Sequence, residues 1–222
     1  MIRLDRITKT FRGNGPAKQI LRDVSFALPD VRGLALIGRN GAGKSTLLRL
    51  IAGTLEPDSG QVFSDERISW PMGFSGGFHP ALTGAQNIRF VARLYGKDPE
   101  ELARFVTRFG ELGRALRKPF ETYSSGMKAR LAFAVSIGLD FDCYLVDEII
   151  GVGDAAFREK CRMAFRARLG HARLVMVSHN PQALRQFCDA GLVIEAGRLK
   201  FYPRLDDALA AHAANLAQPV PA

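Results

Sequence analysis

The stretch Gly38-Arg39-Asn40-Gly41-Ala42-Gly43-Lys44-Ser45-Thr46 has the residue types and spacing of a phosphate-binding loop, G-x-x-x-x-G-K-[ST]. Gly38, Gly41 and Gly43 let the backbone turn so that successive N–H groups point inward. A helix that follows offers its own unpaired N–H groups and its positive dipole end to an anion. Lys44 is placed to reach the outer phosphates of a nucleotide, and the Ser45 hydroxyl to ligate Mg2+. Arg39, Asn40, Ala42 and Thr46 complete the expected nucleotide-binding loop. A glycine turn before a helix would explain the glycines, but not Lys-Ser-Thr directly after them.

A second stretch, Cys143-Tyr144-Leu145-Val146-Asp147-Glu148, runs apolar and then acidic. It is expected to carry Asp147 to the end of a core strand beside the loop, where its carboxylate can hold Mg2+ through water. Neighbours on an extended chain point in opposite directions. Glu148 therefore takes a different task, polarising the attacking water as a general base or orienting acceptor. A third stretch, Tyr123-Ser124-Ser125-Gly126-Met127, opens an apolar helical pattern and is built like another anion cradle. Ser124 or Ser125 can serve as its helix cap.

These residues need a scaffold. Val31 to Gly38 is a compact apolar run, the pattern of a strand buried on both faces. Ser45 to Gly53 has apolar residues at helical spacing. The first thirty residues alternate apolar and polar around a Gly13–Pro16 turn, which predicts antiparallel strands, and Glu56 to Phe63 is a turn into another strand. Strands recur at Cys143–Glu148, Arg173–His179 and Gly191–Leu199, the last read as one strand. From Ala81 to about Leu139 the pattern is helical throughout, as an insertion. Strands alternating with helices predict an α/β fold with a parallel sheet covered on both faces. The stretch from Asp206 to Ala222 reads as an alanine-rich helix and tail, expected to fray and to carry no chemistry.

Composition narrows the setting. The chain has 222 residues and a net charge of +9, which suits anionic partners. Three scattered cysteines have neither metal-ligand nor CxxC spacing, and an odd count argues against a disulfide framework. The charged N-terminus is unlike a signal peptide. No window approaches the ~20 apolar residues of a membrane span.

The three stretches together resemble the ATP-binding-cassette (ABC) ATPases. Tyr123 to Met127 looks like a variant of their LSGGQ signature, with Ser124 and Gly126 matching and the other three positions departing. Gly151 to Asp154 resembles the D-loop, Val177 to Asn180 places His179 as the switch histidine, and Phe11 falls where the family has an adenine-stacking aromatic. The resemblance covers about residues 1–200. It implies a P-loop NTPase with a RecA-like parallel core, an N-terminal antiparallel β subdomain and an inserted helical signature subdomain. The cassette would span 1–205, with the helical subdomain at about 81–139 and a C-terminal helix and tail at 206–222. It also implies a homodimer in which the signature of one copy (Ser124, Ser125, Gly126), with Asp154, closes over the ATP held by the other copy's loop. Glu148 and His179 are its implied catalytic residues, and Ser45 and Asp147 its Mg2+ ligands.

Arg67–Gly96, Lys118–Asp142, Val146–Asp154 and Phe157–Cys161 further resemble the capsular polysaccharide export ATPases of Gram-negative bacteria. That likeness implies integral membrane permease partners at the cytoplasmic face of the inner membrane. The polysaccharide would be handled by those membrane subunits, and nucleic acid would not be a partner. O-antigen export ATPases share much of the pattern, but many carry an added carbohydrate-binding domain for which this chain has no room. A soluble ABC ATPase acting on nucleic acid or ribosomes is the rival from another class. One departure stands out: the glutamine that most of the superfamily places near position 74 is absent, leaving the loop backbone, with His79, to couple to a partner.

Overall fold

The computed structural model describes residues 1–12, 16–72, 77–147 and 153–217. The turn at 13–15, position 74, Glu148, Gly151 and the tail from 218 lie outside the described residues. The chain divides into two units, each with its own packing: 1–71 with 142–148 and 172–222, and 72–141 with 149–171.

The first unit holds two sheets. Strands β1 (Ile2–Phe11), β2 (Lys18–Ala27) and β4 (Ser59–Ser64) make an antiparallel sheet in the order β2-β1-β4. The second sheet runs β5 (Ile68–Met72), β6 (Cys143–Asp147), β7 (Arg173–Val177), β3 (Gly33–Ile37), β8 (Ala190–Glu195), β9 (Arg198–Tyr202). Strand β3 pairs in parallel with β7 and with β8, and β6 in parallel with β7, as the alternation predicts. All five residues of β3 are buried, which is why that run is apolar without alternation.

Helix α1 (Lys44–Ile51) buries Leu47, Leu48, Leu50 and Ile51 in a core shared with β1, β2, β3, β6, β7 and β8. Each such side chain contributes about 1.5–3 kcal/mol. Helix α6 (Pro181–Phe187) follows β7, capped by the Asn180 carboxamide, which accepts from Gln182 N–H at 2.9 Å.

Three features of this unit depart from the sequence reading. Gly191–Leu199 is a hairpin, because Ala196 and Gly197 both take positive φ (46° and 74°), the geometry of a two-residue turn whose twist matches its strands. Strand β5 was not evident from its short, proline-containing sequence. It is pinned by the buried Ser69 hydroxyl, which accepts from Leu145 N–H at 2.9 Å. The C-terminal helix, α7 (Leu205–Leu216), is docked rather than free-standing: Leu205 and Ala208 are buried, and the helix packs along β8.

The second unit is helical. Helix α2 (Gly84–Leu94) starts in a capping box, Thr83 with Gln86. The fully buried Asn87 ties the preceding segment to it: its carbonyl accepts from His79 N–H at 2.8 Å, and its amide donates to the carbonyls of His79, Leu82 and Thr83. Helix α3 (Pro99–Gly110) is capped by Asp98. Two short 3-10 turns lead to α4 (Ser125–Gly138), buried at every residue from Leu131 onward. Helix α5 (Ala155–Leu169) completes the unit, with Phe157, Cys161, Phe165 and Leu169 inward.

The cysteines Cys143, Cys161 and Cys188 are all buried free thiols. Burial pushes each thiol up to about 12. The thiolate is the reactive form. The folded chain should therefore leave Ellman's reagent unreacted at neutral pH until denaturant is added; rapid release of the coloured thiolate from native protein would contradict this packing.

Candidate functional site

Parallel strands bring their C-terminal ends to one edge, and ligands of open α/β sheets bind there. Strand β3 ends at Ile37 and runs into the glycine loop, β6 ends at Asp147, and β7 ends two residues before His179. The register sets Asp147 opposite Val177. The result is a cavity of about 460 Å3 whose walls include Phe11, Asn40, Gly41, Gly43, Lys44, Ser45, Thr46, Asp147 and His179. Residues chosen from four separate stretches of sequence (Phe11, the glycine loop, Asp147 and His179) thus face a single space.

The loop has the shape its residue types require. Gly43 caps α1 with φ 106°, and a β-carbon there would come within 2.1 Å of the Ile20 side chain. Only glycine fits both conditions. The Leu47 N–H bonds back to the Gly43 carbonyl at 2.8 Å, leaving the N–H groups of Lys44, Ser45 and Thr46 at the open end of α1. Lys44 is buried, its ammonium donating to the carbonyls of Gly38 at 2.7 Å and Arg39 at 3.0 Å. Those bonds hold a positive charge against the loop. Arg39 and Ala42 face the other way and line a neighbouring cavity of about 400 Å3 with Ile194 and Glu195.

Phe11 ends β1 and is 44% exposed, so its ring face is available for stacking. Its position is set by Asp58, which the sequence reading missed. That carboxylate accepts from Lys9 Nζ at 2.8 Å and from Thr10 N–H at 2.6 Å, fixing the strand end. The Lys9 bond, then the Thr10 bond, hold the Asp58 carboxyl below its usual range. No motif marks Asp58; the only signal is an acid in a turn facing a basic strand.

The signature residues and Asp154 belong to the helical unit. Ser124 is the cap of α4, its hydroxyl accepting from Met127 N–H at 3.3 Å, which decides between the two serines. Ser125 and Gly126 are exposed, and among the described residues a β-carbon at Gly126 would meet nothing within 4 Å. Tyr123, where the family consensus has leucine, is buried and donates its hydroxyl to the Ala115 carbonyl at 2.6 Å. Room for that ring comes from Gly84, where a β-carbon would lie 2.2 Å from the tyrosine oxygen. Asp154 caps α5 through Phe157 N–H at 2.9 Å and pairs with Arg130 of α4 at 2.9 Å. Arg130 also lies 4.1 Å over the Phe157 ring.

Serine hydroxyl and carboxylate are hard oxygen donors, and Mg2+ takes one or two protein ligands plus phosphate oxygens. Ser45 and Asp147 on one cavity wall fit that donor set.

The ABC transporter family model matches residues 21–151, more than half of the chain. BexA, an ATP-binding protein of Haemophilus influenzae, is 44% identical over 94% of this chain and 96% of its own length. KpsT of Escherichia coli, a polysialic acid transport ATP-binding protein, is 44% identical over 97% of this chain and 100% of its own. CtrD of Neisseria meningitidis, a capsule polysaccharide export ATP-binding protein, is 41% identical over 94% and 96%. The fold is similar to that of the cassette MJ0796, solved as a dimer bound to ADP and Pi, with a TM-score of 0.73 at 19% identity, covering 91% of this chain and 98% of that one. This chain belongs to the ABC transporter ATPases. It is an ATP-binding, ATP-hydrolysing cassette of that family.

Proposed function

We propose that the chain is the ATPase subunit of a capsular polysaccharide exporter. In this reading two copies sandwich two ATP molecules head to tail, beneath integral membrane permease subunits at the cytoplasmic face of the inner membrane. The relatives named for polysialic acid and capsule export support the cargo class. O-antigen export ATPases match less closely, at 40% identity over 81% of the chain. Among the described residues no helix is long and apolar enough to cross a membrane, so the polymer's path belongs to the permease.

The observation that carries the sandwich is Gly126. Among the described residues nothing limits the side chain at that position, yet the residue is glycine at an exposed, capped helix start. A close approach from outside the chain accounts for it. The γ-phosphate of an ATP held by the other copy's Lys44 loop is the anion such a helix start accepts. In each site Phe11 stacks on the adenine, the loop N–H groups and Lys44 grip the phosphates, and His179 contacts the terminal phosphate. Ser45 and Asp147 would hold Mg2+, which when bound neutralises phosphate charge. Glu148 polarises the water, and Asp154 fixes the start of α5 near the dimer contact. Closure on ATP and reopening after hydrolysis is then a population switch driven by unequal affinity of ATP for the two states.

The helical unit offers a groove of about 520 Å3 lined by Ala85, Ile88, Arg104, Arg108, Arg117 and the Arg89–Glu100 ion pair. Among the described residues Arg104, Arg108 and Arg117 make no ion pair, so the groove suits an amphipathic cytoplasmic helix of the permease that carries carboxylates. Coupling would pass from that groove into the His79 segment, which Asn87 fastens to α2.

The test combines localisation and trapping. Co-expressed with its membrane subunits, the chain should sediment with membranes, and alone it should not. Glu148→Gln should stop turnover while ATP drives a stable dimer on gel filtration. Sedimentation indifferent to the membrane subunits would remove the transporter reading, and normal turnover would remove Glu148 from its role.

A further inference from the structure

The C-terminal helix sits against the phosphate loop through a set of contacts that no phosphate-loop motif contains. Ala208 of α7 is fully buried against β8, where a β-carbon on Gly191 would come within 2.3 Å of the Ala208 methyl. Such a close approach fixes the helix along the strand. Its last turn then ends beside the outer side of the loop. There the Asn215 carbonyl accepts from Arg39 Nη1 at 3.3 Å. The Asn215 amide in turn donates to the Glu195 carboxylate at the end of β8. Carbonyls of a last helical turn have no intrahelical partner and form the negative end of the helix dipole, so a guanidinium is well placed there. One turn earlier stands His212. Burial first, then the nearby Lys44 charge, hold its imidazole below the usual range; the Glu195 carboxylate opposes this, and Arg39 and His179 add to it. The last turn of α7 is thus electrostatically in touch with the phosphate-gripping lysine.

Arg39 occupies the second position of the phosphate loop but does not line the nucleotide cavity; it faces the Glu195 side. Its side chain therefore acts on the loop from behind. We propose that Arg39 is a positioning residue, and that α7, by holding its guanidinium through Asn215, fixes the phosphate loop in the shape that takes ATP. The C-terminal helix is then part of the nucleotide site, a strap across its back. This rests on the nucleotide reading of the loop and adds a determinant of affinity to it.

The experiment is a double-variant cycle on the full chain, read by MANT-ATP fluorescence and by steady-state hydrolysis. Arg39→Ala should weaken MANT-ATP binding roughly tenfold, the scale of one charged hydrogen bond lost. KM should rise in step while kcat at saturating ATP changes little, because the loop is still completed by Lys44. Asn215→Ala, which unties the last turn from Glu195, should weaken binding about threefold, and Arg39→Lys should recover part of the Arg39→Ala loss. In the double variant the Asn215→Ala effect should vanish, since the Asn215–Glu195 bond acts only by holding in place the backbone carbonyl that Arg39 grips. Additive losses would overturn the proposal. So would an Asn215→Ala chain that binds MANT-ATP normally while Arg39→Ala does not, because Arg39 would then act on the nucleotide directly. A lowered melting temperature with unchanged affinity in both variants would reduce α7 to a structural element and overturn it as well. Failure of the unaltered chain to bind MANT-ATP would overturn the nucleotide site itself, a result distinguishable from all of these.

Discussion

Lys44→Ala should cut ATP turnover by roughly 10²–10³, the cost of removing one preorganised charged donor from a transition state. The substitution deletes a buried ammonium fixed by two loop carbonyls at 2.7 and 3.0 Å. Because those carbonyls belong to Gly38 and Arg39, the change also loosens the loop. Binding of MANT-ATP should weaken along with turnover. Each tenfold of lost rate is about 1.4 kcal/mol of transition-state stabilisation, so the expected loss is about 3–4 kcal/mol. The core beneath the loop is carried by Leu47, Leu48, Leu50 and Ile51, which the variant leaves in place, so circular dichroism should be unchanged. Turnover within a few-fold of the parent chain would mean that Lys44 does not face the reacting phosphate.

The second large effect belongs to the other half of the site. Ser124→Arg removes the α4 cap, which costs about 1 kcal/mol, a loss a folded domain tolerates. It also sets a long side chain at an exposed helix start where the reading requires a phosphate of the other copy. Turnover should fall to near background while MANT-ATP binding to the single chain, made by the Lys44 loop, persists. Mixing gives a sharper result. A dimer of one Lys44→Ala chain and one Ser124→Arg chain has one site with both lesions and one with neither. Random pairing of equal amounts should therefore restore about a quarter of the parent sites from two inactive preparations. Complete silence of the mixture, with heterodimers demonstrated, would refute the head-to-tail site.

How far the sequence reached depended on where each constraint resides. The phosphate loop was legible because backbone curvature demands glycine and phosphate demands Lys-Ser, so fold and chemistry mark the same residues. Asp147 followed from a buried strand ending in an acid. Strand β3 and the antiparallel β1–β2 pair showed through hydrophobic pattern alone. Asn87, Ser69 and Asp58 were invisible, since each is a polar side chain satisfying backbone groups of another segment, those of Ser69 and Asp58 distant in sequence, and hydrophobic pattern does not encode such partners. The hairpin at Ala196-Gly197 was missed because alanine is an uncommon residue at positive φ. The docking of α7 was missed for a related reason: a helix of small residues has a weak apolar stripe, and its fit depends on Gly191 offering no side chain.

The burial of all three native sulfur atoms has a practical consequence. A single cysteine introduced at the exposed Met163 of α5 and another on the exposed face of α7 would be the only sites open to spin labels or fluorophores. Interprobe distances during a catalytic cycle could then be recorded on the otherwise unaltered chain, without first stripping it of its own thiols.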